Sequence, residues 1–241
     1  GTGFGSAVSR SLFTGGSAVS VASKQTVRKA QDLAAEALEA PVDDIEYQGG
    51  SFRIVGTDRR IGLFDLAARQ PEKQIGIEST SAVEGPSWPN GCHICEVEVD
   101  PETGVVAVVD YCSVNDVGRV VNPVIVQGQL DGGAVQGLGQ ALGEHLVYDR
   151  DSGQLLSASF LDYAMPRAAD SPRFRTEMDE SVPCLTNPLG VKGVGELGTI
   201  GATPCVVNAV VDALSRAGAQ GRALALQMPL TPERVWRALH G

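Results

Sequence analysis

The chain has 241 residues, of which 43% are hydrophobic and 20% are charged, a composition typical of a globular protein with a sizeable core. Its 19 basic and 29 acidic residues give a net charge of −10 without a cluster of lysines or arginines, which argues against nucleic acid as a partner. No run approaches the roughly 20 uncharged apolar residues of a membrane span, so we expect none.

The first ninety residues combine an amphipathic helix with a small hairpin. Ala30, Ala34 and Leu38 recur at helical spacing, and Pro41 ends the helix because proline cannot continue it. A Gly-Gly pair joins two β-like runs that follow. In chain order we predict a helix over residues 17–40, strands over Ile45–Gln48 and Phe52–Val55, a short helix over Leu63–Arg69 and a surface loop over residues 70–90.

The rest of the chain alternates strands and helices. Cys95, Val97 and Val99 alternate with acidic residues, as in a half-buried strand. The turn DPETG (100–104) leads back into Val105–Tyr111, which is apolar enough to be buried on both faces. We then predict a glycine-interrupted helix over residues 123–142, strands over His145–Tyr148 and Gln154–Phe160, a buried helix over residues 203–214, and a last helix with Thr231 as N-cap and Pro232 at its first position.

This order of elements bounds the fold class. Strands and helices alternate without a regular βαβ period, which predicts an α+β or mixed α/β protein. We find no internal repeat and no low-complexity segment. We expect one domain over residues 1–241, with two lobes at about residues 1–90 and 91–241.

The five cysteines predict neither a disulfide framework nor a metal centre. Cys92 and Cys95 form a CxxC, the spacing of zinc, iron–sulfur and redox sites, but the chain has no second CxxC and its three histidines are scattered. Cys95 lies on the inward face of its predicted strand, so we expect a buried strand cysteine beside a loop cysteine. The odd number of cysteines fits a reducing cytoplasm.

Two polar segments are candidates for ligand binding. In GSAVSRSLFTGGSAV (5–19), Ser9, Arg10 and Ser11 precede a helix, where hydroxyl and backbone N–H groups can bind an anion; an N-cap and turn is the alternative. In residues 115–144, glycines weaken a free helix by about 1 kcal/mol each but allow a backbone or ligand to approach closely. Gln129 in this segment is placed to hydrogen-bond a heterocycle, although some glutamines of the helix belong to the surface.

A third segment, GVKGVGELG (190–198), places one acid, Glu196, within a glycine-rich loop before a helix. Such a glutamate is either a catalytic base or a helix-end residue that satisfies the N-terminus, and the residues alone leave both open. Residues 193–198 (GVGELG) have the glycine spacing of a GxGxxG motif, but no predicted strand leads into them as a dinucleotide-binding fold requires, and neither a phosphate loop nor a GxSxG elbow occurs. A nucleotide-binding module is therefore disfavoured.

Six collinear motifs resemble the xanthine dehydrogenase/aldehyde oxidoreductase family of molybdenum hydroxylases, specifically the C-terminal part of the molybdopterin-binding large subunit. All six occur in the same order as in that family, and together they cover most of the chain. The chain would correspond to roughly the last third of such a subunit. The motifs are EVEVDPETG (96–104), NDVGRVVNP (115–123), GQLDGGAVQGLGQAL (128–142), SFLDYAMP (159–166), GVKGVGELGTIGATPCVVNAV (190–210) and LTPERV (230–235).

The resemblance implies that the metal is held by a pterin cofactor and that the protein supplies hydrogen bonds and a base, with no side chain as metal ligand. Glu196 would be the base that takes a proton while oxygen from water is transferred to an electron-poor carbon. The cofactor would be molybdenum–molybdopterin cytosine dinucleotide. The residues implied to bind it are Val8, Ser9, Arg10, Ser11, Gln129 and Gly195.

The resemblance also implies a cytoplasmic hetero-oligomer. An N-terminal molybdopterin-binding chain would complete the cofactor site, an iron–sulfur subunit would carry [2Fe-2S] clusters, and a further subunit would carry FAD. We therefore expect the chain to be inactive without these partners. An N-heterocycle is the favoured substrate; aldehyde oxidation and a non-catalytic structural subunit are the alternatives.

Overall fold

The computed structural model describes residues 5–241, which form two compact units. The small unit comprises Ser11–Pro86 and Leu185–Leu189, and the large unit comprises residues 5–10, Ser87–Cys184 and Gly190–Gly241. Both units contain helices and strands, which confirms the predicted α+β class.

The small unit packs a long helix against a three-stranded antiparallel sheet. Ala30, Ala34 and Leu38 form the buried stripe of the helix, and Phe52 of the sheet is fully buried in the same core. The third strand was not predicted, because three residues carry no periodic signal without their partner strand. The elements are a π-helical turn (Leu12–Gly16), α1 (Ser17–Leu38), β1 (Ile45–Gln48), β2 (Ser51–Ile54), β3 (Arg60–Gly62) and α2 (Leu63–Ala68).

The large unit is built on a second three-stranded sheet. Strands β4 (Asn90–Val99) and β5 (Val106–Asp116) are antiparallel and joined by the predicted DPETG turn, and β6 (Phe174–Asp179) pairs parallel to β5. A bulge at Glu96/Val97 shifts the register of the antiparallel pair. Tyr111 is buried at the centre of the sheet and contacts the helices that cover this face.

Helices α3 (Pro123–Leu142) and α4 (Leu197–Leu214) pack together over this sheet. Asn122 caps α3 by accepting the Ile125 N–H, so the predicted helix over residues 123–142 is confirmed. The chain ends with a π-helical turn (Ser215–Ala219), α5 (Gln220–Ala223) and α6 (Pro232–His240), and Thr231 caps α6 as predicted.

The helical stretch Leu197–Ala223 is long and apolar enough, by length and composition alone, to cross a membrane. Its first part, α4, packs against α3 and β4 in this structure. Ala202, Val206 and Val210 form the fully buried stripe of α4, which is the packing expected of a core helix. The helix predicted over residues 203–214 is therefore buried along one face only, since Pro204, Asn208 and Asp212 are exposed.

Three further expectations were wrong. Residues 145–160 contain no strand; a single bridge, Tyr148 to Leu155, replaces the predicted pair. The predicted strand Val105–Tyr111 is not buried on both faces, because α3 and α4 cover one face only, and Val109 remains 45% exposed. Cys92 lies within β4 and not in a loop, so it and Cys95, three residues apart, point to opposite faces of the sheet.

Candidate functional site

Glu196 immediately precedes α4 and has a side-chain partner from a distant segment. Its side chain makes no capping hydrogen bond to the N-terminal N–H groups of α4. Instead, the Ser9 hydroxyl donates a hydrogen bond to Glu196 Oε2 at 2.7 Å. The structure thus gives Glu196 a different side-chain interaction from the helix-capping one that the sequence left open.

The segment that delivers Ser9 has an unusual backbone. Val8 and Ser9 have φ angles of 55° and 52°, in the left-handed region that few residues other than glycine adopt. For β-branched Val8 this conformation is strained, and its side chain is 74% exposed, so no burial compensates for the strain. Strained backbone of this kind is concentrated at functional sites.

Two glycines of the Glu196 loop allow Ser9 and Gln129 to come close. A Cβ placed at Gly193 would lie 2.8 Å from the Ser9 carbonyl oxygen, closer than real Cβ contacts. A Cβ placed at Gly195 would lie 3.1 Å from Ser9 Oγ and 3.5 Å from Gln129 Oε1. Four of the residues singled out in the sequence, Ser9, Gln129, Gly195 and Glu196, therefore lie together in the large unit.

The other predicted site residues are less closely grouped. Val8 and Arg10 flank Ser9 in the large unit, and Arg10 is partly buried. Ser11 belongs to the small unit, where it precedes the π-helical turn Leu12–Gly16 as its N-cap. The predicted cofactor-binding run from Val8 to Ser11 is thus divided between the two units.

The surface of α3 beside Gln129 is open. Cβ atoms placed at Gly128 and Gly132 would meet no atom within 4 Å, and Gln129 itself is exposed. Within residues 5–241, no three His, Cys, Asp or Glu side chains are grouped so that they could hold a metal ion. Hydroxyl, amide and carboxylate groups around glycine backbone fit a cofactor that brings its own metal ligands.

Two residues that sequence reasoning did not select form a buried ion pair at the start of the Glu196 loop. Lys192 Nζ forms an ion pair with Asp116 Oδ2 at the end of β5, and the two side chains are only 7% and 15% exposed. The available signal was a lone cation inside a glycine-rich loop, in a chain with few basic residues. Its partner could not be read from the sequence, because 76 residues separate the two.

A buried polar network lies between the sheet and α4. His93 Nε2 lies 3.3 Å from Asn115 Oδ1, which can only accept, and His93 Nδ1 lies 2.6 Å from the Tyr111 hydroxyl. Nε2 therefore carries a proton, and in the neutral form of the ring the Tyr111 hydroxyl donates to Nδ1. Burial lowers the pKa of His93, while its hydrogen bond to Asn115 acts in the opposite direction. Gly201 of α4 packs flat on this ring, since its Cβ would lie 2.5 Å from it.

The cysteines near this network behave as core residues. Burial raises the pKa of Cys95 to about 12, and the electrostatic influence of Cys205 and Asp110 acts in the same direction. Burial also raises the pKa of Cys205. All five cysteines are free thiols. Cys95 thus lies in a strand, as predicted, and is partly buried against the core of the large unit.

The fold and the glycine-lined site have the character of a cofactor-binding domain, and comparison with known proteins identifies the family. Residues 1–172 match the family described as molybdopterin cofactor-binding domain. The chain therefore belongs to this family, as the resemblance of its motifs predicted.

Similar proteins place the chain within a larger subunit. The chain is 36% identical, over 99% of its length, to the 6-hydroxypseudooxynicotine dehydrogenase complex subunit gamma of Paenarthrobacter nicotinovorans. It is 38% identical, again over 99%, to the nicotine 6-hydroxylase large subunit of the same organism. A crystal structure of Cu,Mo-CO dehydrogenase in its carbon monoxide reduced state matches all of this chain with a TM-score of 0.86 and 32% identity. The chain spans 30% of the length of the two curated relatives and 31% of that structure, and it corresponds to part of a molybdenum hydroxylase large subunit.

Proposed function

We propose that this chain is the catalytic, molybdenum-cofactor-binding part of a molybdenum hydroxylase that hydroxylates an electron-poor carbon of an N-heterocycle, with water as the oxygen source. The observation that carries the proposal is the hydrogen bond from Ser9 to Glu196, in a glycine-rich surface that also contains Gln129. Two curated relatives with heterocycle-related names, each more than 35% identical, support the choice of substrate class.

The proposed role of Glu196 is that of a general base. Ser9 donates to Oε2 of the carboxylate, which fixes the plane of the group and orients Oε1. Gly193 and Gly195 lack side chains, so Ser9 can come close enough to the loop to reach the carboxylate. Glu196 would take up the proton released as oxygen is transferred from water to the substrate.

The cofactor would be held by hydrogen bonds. Gln129 offers an amide beside the open backbone at Gly128 and Gly132, and residues Val8–Ser11 offer backbone N–H and hydroxyl groups. When bound, the molybdenum–molybdopterin cofactor would supply the redox centre that accepts two electrons from the substrate. We propose its cytosine dinucleotide form, which mass spectrometry of nucleotides released from the purified complex would identify.

The remaining parts of the enzyme would lie on partner chains in the cytoplasm. An N-terminal molybdopterin-binding chain would complete the pocket, and iron–sulfur and FAD subunits would carry the electrons away, with [2Fe-2S] clusters and FAD as their cofactors. Co-purification of the tagged chain followed by metal and flavin analysis tests this assembly. Recovery of a stable complex without molybdenum would favour a structural subunit instead.

The decisive experiment replaces Glu196 with Gln in the reconstituted complex. Gln keeps the size of the side chain and can still accept the Ser9 hydroxyl proton, but it cannot act as a base. We expect turnover of the heterocyclic substrate to fall by at least 10²-fold, within the range of general-base contributions, with unchanged molybdenum content. Turnover within tenfold of wild type would show that Glu196 is not the base. A parallel panel of aldehydes tests aldehyde oxidation, the alternative reaction for the same site.

A further inference from the structure

The loop that carries Glu196 is fastened to the end of β5 by a compact set of contacts. The Lys192 N–H donates to the Val117 carbonyl, and the Arg119 and Cys184 N–H groups both donate to the Gly190 carbonyl. Gly118 has a φ of 62°, and a Cβ there would lie 2.3 Å from the Gly190 oxygen. This arrangement therefore requires glycine at position 118 for two independent reasons.

An ion pair closes this set of contacts. Lys192 Nζ pairs with Asp116 Oδ2, and Asp116 Oδ1 accepts the Gly118 N–H at 2.9 Å. Both side chains are largely buried, in contrast to the other ion pairs of the described chain, whose side chains are at least 40% exposed. A buried pair excludes the solvent that would otherwise weaken it, so it can hold a fixed geometry.

The charge of Lys192 also extends to β6. Asp179 lies opposite Asp116 in the β5–β6 register. The pKa of Asp179 is lowered, mainly by the backbone and side chain of Ser181 and additionally by the charge of Lys192. Lys192 therefore also acts on a second carboxylate, although weakly, because Asp179 is exposed to solvent.

Three residues separate Lys192 from Glu196. Gly193 and Gly195 are two of them, and glycine backbone has little conformational preference of its own. Val194 packs in the cluster formed by Val117, Val126 and Leu130. The direction of the Glu196 carboxylate therefore depends on the contacts at both ends of the loop, α4 on one side and Lys192 on the other.

We infer that the buried Lys192–Asp116 ion pair is a positioning device that fixes the Glu196 loop so that its carboxylate meets Ser9. This inference rests on the proposed function of Glu196 as base. It assigns Lys192 and Asp116 no contact with substrate or cofactor. Misplacement of a catalytic group by about 1 Å can lower a rate by about 10²-fold, so a positioning role predicts a large effect on turnover.

The test uses the complete complex and two variants of the ion pair. K192M removes the cation, and the double variant K192M/D116N removes both charges, so that no isolated carboxylate destabilises the fold. R216M is the matched control, because Arg216 forms an ion pair with Asp212 in the same unit but with side chains 80% and 61% exposed. K192R keeps the charge.

We expect kcat to fall about 10- to 100-fold in both K192M and the double variant, with KM within twofold of wild type and molybdenum content unchanged. Hydrogen exchange of peptides covering residues 190–197 should become faster. K192R should recover part of the lost kcat, and R216M should match wild type in every measurement.

The double variant would overturn the inference if its kcat and its exchange in residues 190–197 both matched wild type. Loss of molybdenum with wild-type exchange would also overturn it, because the pair would then serve the cofactor. Turnover by E196Q contradicts the proposed function instead, and in that case hydrogen exchange, which needs no substrate, still decides whether the ion pair orders the loop.

Discussion

A Cβ placed at Gly198 of α4 would lie 2.3 Å from the carbonyl oxygen of Leu130 in α3. On the facing helix, a Cβ at Gly133 would lie 3.0 Å from the Gly198 Cα. The two helices thus cross with their backbones in contact, two residues after Glu196 and one residue after Gln129. This close crossing brings the carboxylate and the amide of the candidate site to the same place.

Replacement of Gly198 by Ala should therefore destabilise the protein. The added methyl group meets backbone atoms that cannot rotate away, so we expect a loss of about 2–3 kcal/mol, despite the better helix propensity of alanine. The measurement is the free energy of unfolding in denaturant. Gly128→Ala is the control, because a Cβ there meets nothing within 4 Å, and it should stabilise the helix by up to about 1 kcal/mol. Equal effects of the two substitutions would contradict a close crossing at Gly198.

Two turns of the large unit share one geometry and differ in their neighbours. In the first, the Gly104 N–H donates to the Asp100 carbonyl, and in the second, the Gly153 N–H donates to the Asp149 carbonyl. The φ angles of the two glycines are 73° and 70°. A Cβ at Gly104 would lie 2.1 Å from the Pro232 carbonyl oxygen of α6, whereas a Cβ at Gly153 would meet nothing within 4 Å.

Gly153→Ala should therefore lower the free energy of unfolding by about 1–2 kcal/mol, the cost of holding alanine in the left-handed backbone conformation. Gly104→Ala should cost about 1–3 kcal/mol more, because it also displaces α6. Melting temperatures of the two variants, measured side by side, separate the contributions. Similar melting temperatures for the two variants would show that α6 makes no close contact with the Gly104 turn.

His93 should make stability depend on pH. Burial holds its pKa below the ordinary value of 6.5, so the unfolded chain binds a proton before the folded chain does. Stability should therefore decrease as the pH falls through about 6.5, and this contribution should level off below the pKa of the folded state. Denaturant midpoints of wild type and His93→Gln between pH 8 and pH 5 provide the measurement. The variant should lose less stability on acidification, and parallel profiles would contradict a buried neutral imidazole.

Local signals predicted the elements whose ends are set by nearby residues. Asn122 before Pro123 and Thr231 before Pro232 are strong helix-start signals, and both helices begin where these pairs lie. Strand β6 was missed although FRTEMD alternates, because its pairing partner is β5, more than 50 residues earlier in the chain. Strand pairing over such distances is a tertiary property that no local window contains.

In the candidate site, too, local sequence predicts some features, and the tertiary fold creates the others. The glycine-rich composition of two segments identified Glu196 and Gln129 as residues of interest, and the family resemblance added Gly195, but only the fold brings Ser9 onto Glu196 and Lys192 onto Asp116. Nothing in the spacing of these residues predicts either pair. The Ser9–Glu196 and Lys192–Asp116 contacts depend on the relative positions of α3, α4 and β5, and tertiary packing sets these positions.

The hydrogen bond between Ser9 and Glu196 joins residues 187 positions apart in the chain. A contact of such separation closes a very long loop, and contacts of this kind form late in folding because their entropic cost must first be offset by local structure. During synthesis Ser9 leaves the ribosome long before Glu196, and strands β4 to β6 are made in between. A chain arrested before position 196 would therefore carry a completed sheet without its base, and formation of this one bond would report that translation had reached α4.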